Sequence, residues 1–447
     1  MTKAPFLLLG IGLASMLASC STNDRLLGAQ QKFRGGNFGG AAAALAGQAV
    51  KEPINSRDAV ILKLEAGSMS TLAGRSSEGL ELLKSADKAI EAANQRPLVQ
   101  LGREAGALVT NLNAIPYIPP PSNQIMGASY LALSFANQGM LTEARSAVKL
   151  AKNRQSDAFA KYQQEIDREK EAMTQARSAS QVPLSIEESK ISGVTSTIEA
   201  DVKQYSPYAS HSVPYAELIS GLILGVGEGA EPDRARESFS RALAVAPSNS
   251  ALRQAAGGSL NGRLHVIIEE GVAPSLDQAV MHLPLKINDK LIVFSAAYPK
   301  FIVHPHQGDT SVMAGGKSTQ ADLVCDFDRI AGDEFRRRLP GIISRTTAAS
   351  VTKAAMSYVA QAALAQQNSN AALVAGLVGA AYNVATAQAD RRSWACLPKR
   401  VSYANLQMPS DRIVQVGGRQ IELPKADTVI LRIRQVAGQQ AAEITAL

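Results

Sequence analysis

The sequence predicts an α + β protein in which an N-terminal solenoid of paired helices is followed by a mixed β-rich and helical C-terminal domain. Two observations lead to this fold class. Small and apolar residues recur at the spacing of helical hairpins through the first half of the chain, and strand-like alternation begins after Gly262. Aromatic residues make up only 5% of the 447 residues, a composition that favours closely packed helices. We therefore expect helical repeats over 20–256 and the C-terminal domain over 262–447.

The first residues have the pattern of a bacterial lipoprotein signal peptide, predicted over 1–19. A short apolar run over 6–16 follows a basic residue, and small residues stand directly before Cys20. The run is too short for a transmembrane helix, which needs about 20 residues, so we expect cleavage and a covalent lipid, such as palmitate, on Cys20. The alternative is an ordinary secretory signal that contains a cysteine. Ser21 stands where an aspartate would favour retention in the inner membrane, so it favours the outer membrane. We expect the lipid-anchored protein to face the periplasm.

Two segments of the first half carry a helix-turn-helix repeat. The spacing over 125–155 is that of the tetratricopeptide repeat (TPR), in which small residues let two helices approach and a glycine makes the turn between them. A second copy over 235–247 ends at a proline, which cannot continue a helix. The residues predicted to pack the repeats are Leu131, Ala132, Phe135, Gly139, Ala144, Val148 and Ala151 in the first copy and Ala235, Phe239, Ala242 and Pro247 in the second. Weaker copies lie near Gly36 and Gly67, and a generic helical bundle is the alternative.

Two connecting segments interrupt the repeats. A charged helical run over 154–177 leads into 178–214, which we interpret as a polar linker because it contains prolines. Prolines also cluster over 115–122, where they predict a stiff extended loop. This loop is either a plain connector between repeats or a docking element.

The C-terminal domain is predicted to combine strands with a helical block. Alternating apolar residues and turn signals define its elements. Strands are expected over 264–268, 280–287, 291–303, 322–327, 412–416, 420–423 and 428–434, and helices over 329–367 and 370–389. Asn288-Asp289 predicts a tight turn between the second and third strands. The apolar stretch 371–381 is too short to span a membrane, and we interpret it as a buried helix.

Two cysteines remain once Cys20 carries the lipid. Cys325 and Cys396 would lie in an oxidising compartment, where a disulfide between them would close a loop of about 70 residues and stabilise the fold by roughly 4 kcal/mol. Two separate buried thiols are the alternative, because nothing in the sequence shows that the two residues meet. The sequence leaves the pairing open.

The sequence predicts no catalytic residue, metal site or cofactor. The net charge of +7 comes without a dense basic patch, which argues against nucleic-acid binding. His304-Pro305-His306 brings two histidines close together but lacks the further ligands of a metal site. The run 315–318 ends like a phosphate-binding loop but lacks the first glycine of that motif. We therefore expect a protein that is not an enzyme and whose attached group is the lipid on Cys20; its oligomeric state is left open.

Four segments resemble an uncharacterised family of bacterial TPR-containing outer-membrane lipoproteins. They are 128–154, 262–274, 333–345 and 390–398, and the resemblance covers most of the chain. It implies this architecture and no particular activity. The lipid on Cys20 and the solenoid together favour a lipid-anchored, non-catalytic scaffold that binds other cell-envelope proteins through a TPR groove. Such lipoproteins are often encoded beside other small outer-membrane lipoproteins, including ones that resemble activators of penicillin-binding proteins. The alternative is therefore an accessory or activator of peptidoglycan synthesis. An envelope hydrolase with its site in the C-terminal domain is a third hypothesis.

Overall fold

A computed structural model gives the fold of the chain. It describes residues 24–95, 116–117, 119–178, 184–185, 188–208, 212–287, 290–365 and 387–447. The predicted signal peptide with Cys20, the turn at Asn288-Asp289 and the apolar stretch 371–381 lie outside the described residues. Within the described part, no helix combines the length and the apolar character needed to cross a membrane.

The N-terminal half is built largely of helices that follow one another as antiparallel hairpins. In chain order the helices are α1 (24–34), α2 (Phe38–Lys51), α3 (Ala59–Leu72), α4 (Ser76–Asn94), α5 (Pro121–Ala136), α6 (Leu141–Ser178), α7 (Glu188–Ala200), α8 (Pro214–Gly225), α9 (Pro232–Val245) and α10 (Ser250–Gly257). Gly36, Gly74 and Gly139 form the turns inside three hairpins, with φ of 76°, 79° and 74°. A side chain would strain this left-handed backbone, so glycine determines where each helix pair turns.

Helices α3, α5 and α8 are buried far more completely than the helices that follow them. Every residue of α3 and α8 is buried, and α5 leaves only Phe135 partly exposed. Their sequences explain this, since they consist mostly of apolar and small residues, whereas α4 and α9 carry charged residues on one face. Helices α3, α5 and α8 therefore form an inner layer, and α4 and α9 face the solvent on their outer side.

The C-terminal half contains most of the strands. In chain order the strands are β1 (Leu184–Ser185), β2 (Arg263–Glu270), β3 (Ser275–Ile287), β4 (Lys290–Ile302), β5 (Ser311–Ala314), β6 (Lys317–Gln320), β7 (Asp322–Asp326), β8 (Arg400–Gln407), β9 (Ile413–Val416), β10 (Arg419–Glu422), β11 (Val429–Val436) and β12 (Gln439–Ala446). Helix α11 (Phe327–Ala365) lies between β7 and β8 in the chain. A five-stranded sheet has the order β12-β11-β2-β8-β7, in which β2 and β11 are parallel and the other pairs antiparallel. A four-stranded antiparallel sheet has the order β10-β9-β5-β6.

The five-stranded sheet is the middle of three layers. Leu264, Val266 and Ile268 alternate along β2 and pack with residues of the four-stranded sheet, such as Val414. The intervening residues of β2 face the helices, and Ile267 belongs to the same hydrophobic cluster as the inner helices. Because successive side chains of a strand point to opposite faces, this strand contributes to two cores. The helical array and the sheet therefore share one hydrophobic core.

A second core lies under a long hairpin. Strands β3 and β4, of 13 residues each, pair along their whole length, and β1 pairs with the outer edge of β3. Leu283, Phe294 and Tyr298 on this hairpin pack with Phe335 and Leu339 of α11. These residues form a hydrophobic cluster distinct from the one beneath the helical array.

The predicted α + β fold class is confirmed, and three local predictions need correction. The segment 178–214 is not a plain linker, because it contains β1 and α7. A helix is predicted over 370–389, but its last three residues, 387–389, have no regular secondary structure.

The sequence does not predict β5, β6, β8 or β12. In β6 (KSTQ) every residue is polar and exposed, so there is no apolar alternation to detect. Gly315-Gly316, which resembled a phosphate-binding loop, turns the β5–β6 hairpin.

Candidate functional site

The inner helices meet the five-stranded sheet at a polar contact that we call the helix–sheet junction. It comprises the sheet-facing side chains of α1, α3, α5 and α8, the helix-facing side chains of β2, β11 and β12, and the irregular segment 387–399. Several of its charged groups are fully buried, and charged groups are seldom buried in proteins unless they are paired. The helix–sheet junction is therefore the candidate functional site of the described residues.

Glu269 of β2 lies at the centre of the helix–sheet junction with no solvent exposure. Its carboxylate accepts hydrogen bonds from the hydroxyl groups of Tyr130 on α5 and Tyr215 on α8. It also accepts from Nε and Nη2 of Arg432 on β11, at 2.8 and 3.0 Å. Arg434, also fully buried, places Nη1 3.8 Å from the same carboxylate. One carboxylate thus connects two helices with two strands.

The opposite charges at this centre stabilise each other's ionised forms. Burial alone would raise the pKa of Glu269, but Arg432 and Arg434 hold that pKa below its ordinary value. Burial, together with the Glu269 charge, raises the pKa of Tyr215 far above its ordinary value. Near neutral pH the tyrosine hydroxyl therefore donates to a charged carboxylate and keeps its proton.

The same centre fixes segment 387–399 against the sheet. Nη2 of Arg434 donates to the carbonyl oxygens of Cys396 and Leu397, both at 3.1 Å. Trp394 packs edge-on against the ring of Tyr130, with 5.6 Å between the ring centroids. The segment is therefore part of the helix–sheet junction and covers the inner helices from the sheet side.

A second buried carboxylate, Glu65 of α3, binds the backbone of the segment. It accepts hydrogen bonds from the backbone N–H groups of Ala395 at 2.6 Å and Cys396 at 3.3 Å. Gln30 of α1 donates to the same carboxylate at 2.6 Å and to the carbonyl oxygen of Ser393 at 2.8 Å. Burial raises the pKa of Glu65, and these donors oppose the rise. Two helices of the array thereby hold the segment, partly by its main chain.

An ion-pair cluster holds the beginning of the segment. Nη1 of Arg392 lies 2.8 Å from Asp58, directly before α3, and Nη2 lies 2.7 Å from Asp390. The guanidinium carbon of Arg392 also lies 5.5 Å from the ring centroid of Tyr117. Burial alone would raise the pKa of Asp390, but Arg392 lowers it to about 2. The segment is thus bound to the helical array by charge as well as by its main chain.

Glu334 of α11 accepts hydrogen bonds at the N-terminus of α5. The backbone N–H and the hydroxyl group of Ser122 donate to its carboxylate at 2.8 and 2.6 Å. N–H groups in the first turn of a helix have no partner within the helix, so a carboxylate stabilises this end. Burial nevertheless raises the pKa of Glu334 to about 7. Its carboxyl group therefore changes charge close to neutral pH.

We expect Glu334 to lower the stability of the protein as the pH rises from about 4.5 to about 7. The folded state holds the proton up to a pKa of about 7, whereas an unfolded chain releases it near 4.5. The protonated group therefore contributes stability that is fully present below pH 4.5 and is lost as the pH rises through 7, with a slope of at most about 1.4 kcal/mol per pH unit.

The measurement is the difference in unfolding free energy between the wild type and Glu334→Gln, from about pH 5 to about pH 8. Taking a difference removes the contribution of other groups in this range, such as His265, whose pKa burial lowers to about 4. Stability of the wild type relative to the variant should fall over this interval. A difference that does not change with pH would contradict the assignment.

Among the described histidines, His265 and His304 have polar partners within the protein. His265 of β2 is fully buried, and its two ring nitrogens lie 2.8 Å from the hydroxyl of Tyr403 and 2.8 Å from the carbonyl oxygen of Leu260. Nε2 of His304 lies 2.8 Å from the hydroxyl of Ser275. Among the described residues, no group of three or more His, Cys, Asp or Glu side chains has an arrangement that could hold a metal ion.

The disulfide that the sequence leaves open is absent, because Cys325 and Cys396 are separate buried thiols. Cys325 lies on the edge strand β7, whereas Cys396 lies in segment 387–399, where its sulfur is 3.9 Å from the carbonyl oxygen of Glu65. Burial raises the pKa of both thiols, a change that makes a cysteine less reactive.

The residues that the sequence predicts as repeat packing lie on α5, α6 and α9 and beside them. At most 6% of the surface is exposed for Leu131, Ala132, Ala144, Val148, Ala151, Ala235, Phe239 and Ala242. Phe135 is partly buried, Gly139 lies in the α5–α6 turn, and Pro247 is exposed after α9. These residues belong to the hydrophobic packing of the array and do not form a polar site.

Sequence reasoning missed the charged residues of the helix–sheet junction. A signal for three of them exists: Glu65 stands in VILKLEAG, Glu269 in LHVIIEEG and Arg432 in VILRIRQV, so each is a charge within a mostly apolar run. A charge at such a position either faces solvent or is buried with a partner. Most of the partners are 35 to 331 residues away in the sequence, so the local pattern does not identify them.

Comparison with known proteins assigns no identity to this chain. No protein-family model, curated protein or solved structure matches it. The family resemblance of its four segments therefore stays a prediction.

Proposed function

We propose that this protein is a lipid-anchored, non-catalytic scaffold of the cell envelope, held in the outer membrane by acyl chains on Cys20 and facing the periplasm. The observation that carries the proposal is the order of the chain, in which Cys20 is followed within four residues by α1, the first helix of the hairpin array. The buried carboxylates support a non-catalytic role, because Glu65, Glu269 and Glu334 each bind structural donors. Arrays of helical hairpins commonly present extended surfaces to partner proteins.

The surface available to partner proteins differs from the concave groove of an uncovered TPR solenoid. Such a groove is lined by inner helices, and here α3, α5 and α8 contact the sheet and segment 387–399 of the same chain. We propose that partner proteins either bind the solvent-facing sides of α4 and α9 or displace segment 387–399. The outer side of α9 carries the ion pairs Arg236–Asp233 and Arg241–Glu237, so it suits a polar partner surface.

We propose further that the hairpin array is a TPR-like solenoid, in which Ala144 and Ala235 are small because a neighbouring helix packs over them. Ala144→Trp and Ala235→Trp should each lower the free energy of unfolding by at least about 1–3 kcal/mol, since an indole would overfill a fully buried contact. Thermal or chemical denaturation measures the loss. Ala43→Trp, at an exposed position of α2, is the matched control. Unchanged stability of both buried-site variants would contradict TPR-like packing.

Lipidation gives the most direct test of the proposed anchor. Cys20→Ala should accumulate as an unprocessed precursor without labelled palmitate, because the cysteine thiol is the acceptor of the lipid. Gel mobility and palmitate labelling measure both effects. Ser21→Asp, which keeps the cysteine, is the control and should remain acylated. Normal maturation and acylation of Cys20→Ala would refute the anchor.

Crosslinked capture from membranes tests the scaffold itself. Tagged protein should retain a defined set of envelope proteins, and Cys20→Ala should lose them because the unprocessed precursor is not anchored in the outer membrane. A peptidoglycan synthase as the main captured protein would favour an accessory of cell-wall synthesis. Hydrolysis of peptidoglycan or esters by the purified mature chain would instead favour an envelope hydrolase.

A further inference from the structure

We propose that the end of the helical array nearest Cys20 rests on the lipid surface through an apolar patch formed by Val50 and Ile54. The inference rests on the proposed acylation of Cys20, and it adds how the anchored protein is oriented. Val50 lies in the last turn of α2 and Ile54 just after it. Their exposed fractions are 65% and 40%, whereas most large apolar side chains of the array are buried.

The patch and the beginning of α1 lie at the same end of the array. Three residues join α1 to α2, so the two helices run antiparallel, and the rings of Phe33 and Phe38 contact beside the turn at a centroid distance of 5.4 Å. The turn is at one end of the hairpin, and residue 24 and the patch are at the other. Lys63 of α3 donates to the carbonyl oxygen of Ala49 at 2.7 Å, which places the end of α2 beside α3.

The turns of the next two hairpins lie at the opposite end. Nη2 of Arg75, in the α3–α4 turn, donates to the carbonyl oxygen of Gly39 at 3.2 Å. Gln138, in the α5–α6 turn, donates to the carbonyl oxygen of Ser76 at 3.2 Å. Met140, which directly precedes α6, is therefore at the end away from the patch, and its exposed fraction is 37%. It provides a matched apolar position for comparison.

The covalent tether brings the patch end to the membrane. Four peptide steps separate Cys20 from residue 24, and even a fully extended chain of this length reaches only about 14 Å. Helix α2, with 14 residues, is about 21 Å long, so the turn end lies farther from the anchor than the tether can reach. The patch end is thus the part of the array that the anchor holds within reach of lipid.

The chemistry of this end fits the boundary between head groups and acyl chains. Asp24 and Arg25 begin α1, and Lys51 and Glu52 follow Val50, so the neighbouring charges cancel. A positive cluster would point to anionic head groups, whereas a neutral surface with exposed aliphatic side chains favours apolar contact at the interface. Two side chains do not hold a protein on a bilayer, but the anchor keeps them at high effective concentration, so a weak contact sets the orientation.

Depth measurement with a nitroxide label tests the orientation. Mature acylated protein with Ile54→Cys is labelled and reconstituted in phosphatidylethanolamine–phosphatidylglycerol vesicles, and the same is done with Met140→Cys. Cys325 and Cys396 are buried and Cys20 carries the lipid, so the introduced cysteine takes the label. Collisions with a water-soluble nickel chelate should be severalfold rarer at position 54 than at position 140, and collisions with oxygen, which concentrates in lipid, should be more frequent.

Charge substitutions and the acylation state complete the test. Val50→Asp should restore access of the nickel chelate to the label at position 54, and Met140→Asp should not. Equal access at positions 54 and 140 in protein that is acylated and bound to vesicles would overturn the inference and leave the anchor intact. Protection of position 54 in native membranes but not in vesicles would show that a protein covers the patch, which would also overturn it. An N-terminal peptide without acyl chains, detected by mass, would overturn the anchor and the orientation together.

Discussion

Replacing Glu269 with alanine is expected to lower the free energy of unfolding by about 3–5 kcal/mol. The substitution leaves Arg432 and Arg434 buried without the carboxylate that balances them, and it removes the acceptor of the Tyr130 and Tyr215 hydroxyls. Removing one partner of a buried pair is costly because the remaining charge has neither water nor a counter-ion. Chemical denaturation of the mature chain without its lipid gives the measurement.

An exposed pair supplies the control for this prediction. Glu237→Ala on α9 removes one partner of Arg241, but both side chains are about half exposed, so water replaces the lost contact and the expected loss is below about 1 kcal/mol. Glu269→Gln keeps the size of the side chain and removes its charge, and should lie between the two. A loss for Glu269→Ala no larger than that for Glu237→Ala would mean that the helix–sheet junction does not depend on this carboxylate.

The local pattern of the sequence predicts those strands and helices in which side chains on different faces meet clearly different surroundings. The strand expected over 264–268 is observed as β2, Arg263–Glu270, because its apolar residues contribute to two cores and leave a strong signal. The helix expected over 329–367 is observed as α11, and Phe335 and Leu339 of its first half pack under the long hairpin. Strand β6 has no apolar residue, and its pairing with β5 alone makes it a strand.

The covering of the inner helices depends on contacts that local patterns do not encode. Helix hairpins with buried alanines predict a groove, but they do not show that segment 387–399 occupies the sheet-facing side of α3 and α5. The hydrogen bonds responsible join residues more than 300 positions apart, such as Glu65 and Ala395. Periodicity reports the environment of a residue, whereas the identity of its neighbour across the fold follows only from the assembled structure.

Replacing Glu65 with alanine is expected to loosen segment 387–399 from the inner helices before the sheet is disturbed. The substitution leaves the backbone N–H groups of Ala395 and Cys396 without their acceptor in a buried site, at about 1–3 kcal/mol for each donor. The rise in the pKa of Glu65 shows that burial disfavours its charge, so relief of that desolvation offsets part of the loss. Amide hydrogen exchange should accelerate over 393–397 while β2 and β11 keep their protection, because Arg432 and Glu269 still hold the centre of the helix–sheet junction.

Glu78→Ala and Glu65→Gln make this test specific. Glu78 of α4 also accepts a hydrogen bond, from Ser70, but it is only partly buried and, within the described part of the chain, makes no polar contact with the segment, so its loss should leave exchange over 393–397 unchanged. Glu65→Gln keeps one acceptor oxygen and should accelerate exchange less than Glu65→Ala. Equal exchange over 393–397 in Glu65→Ala and the wild type would show that the segment is held without this carboxylate.

The Glu65→Ala variant also distinguishes the two proposed contact surfaces when it is used in the crosslinking experiment. Capture of partner proteins should increase if they bind the inner helices that the segment covers. It should stay the same if they bind α4 and α9.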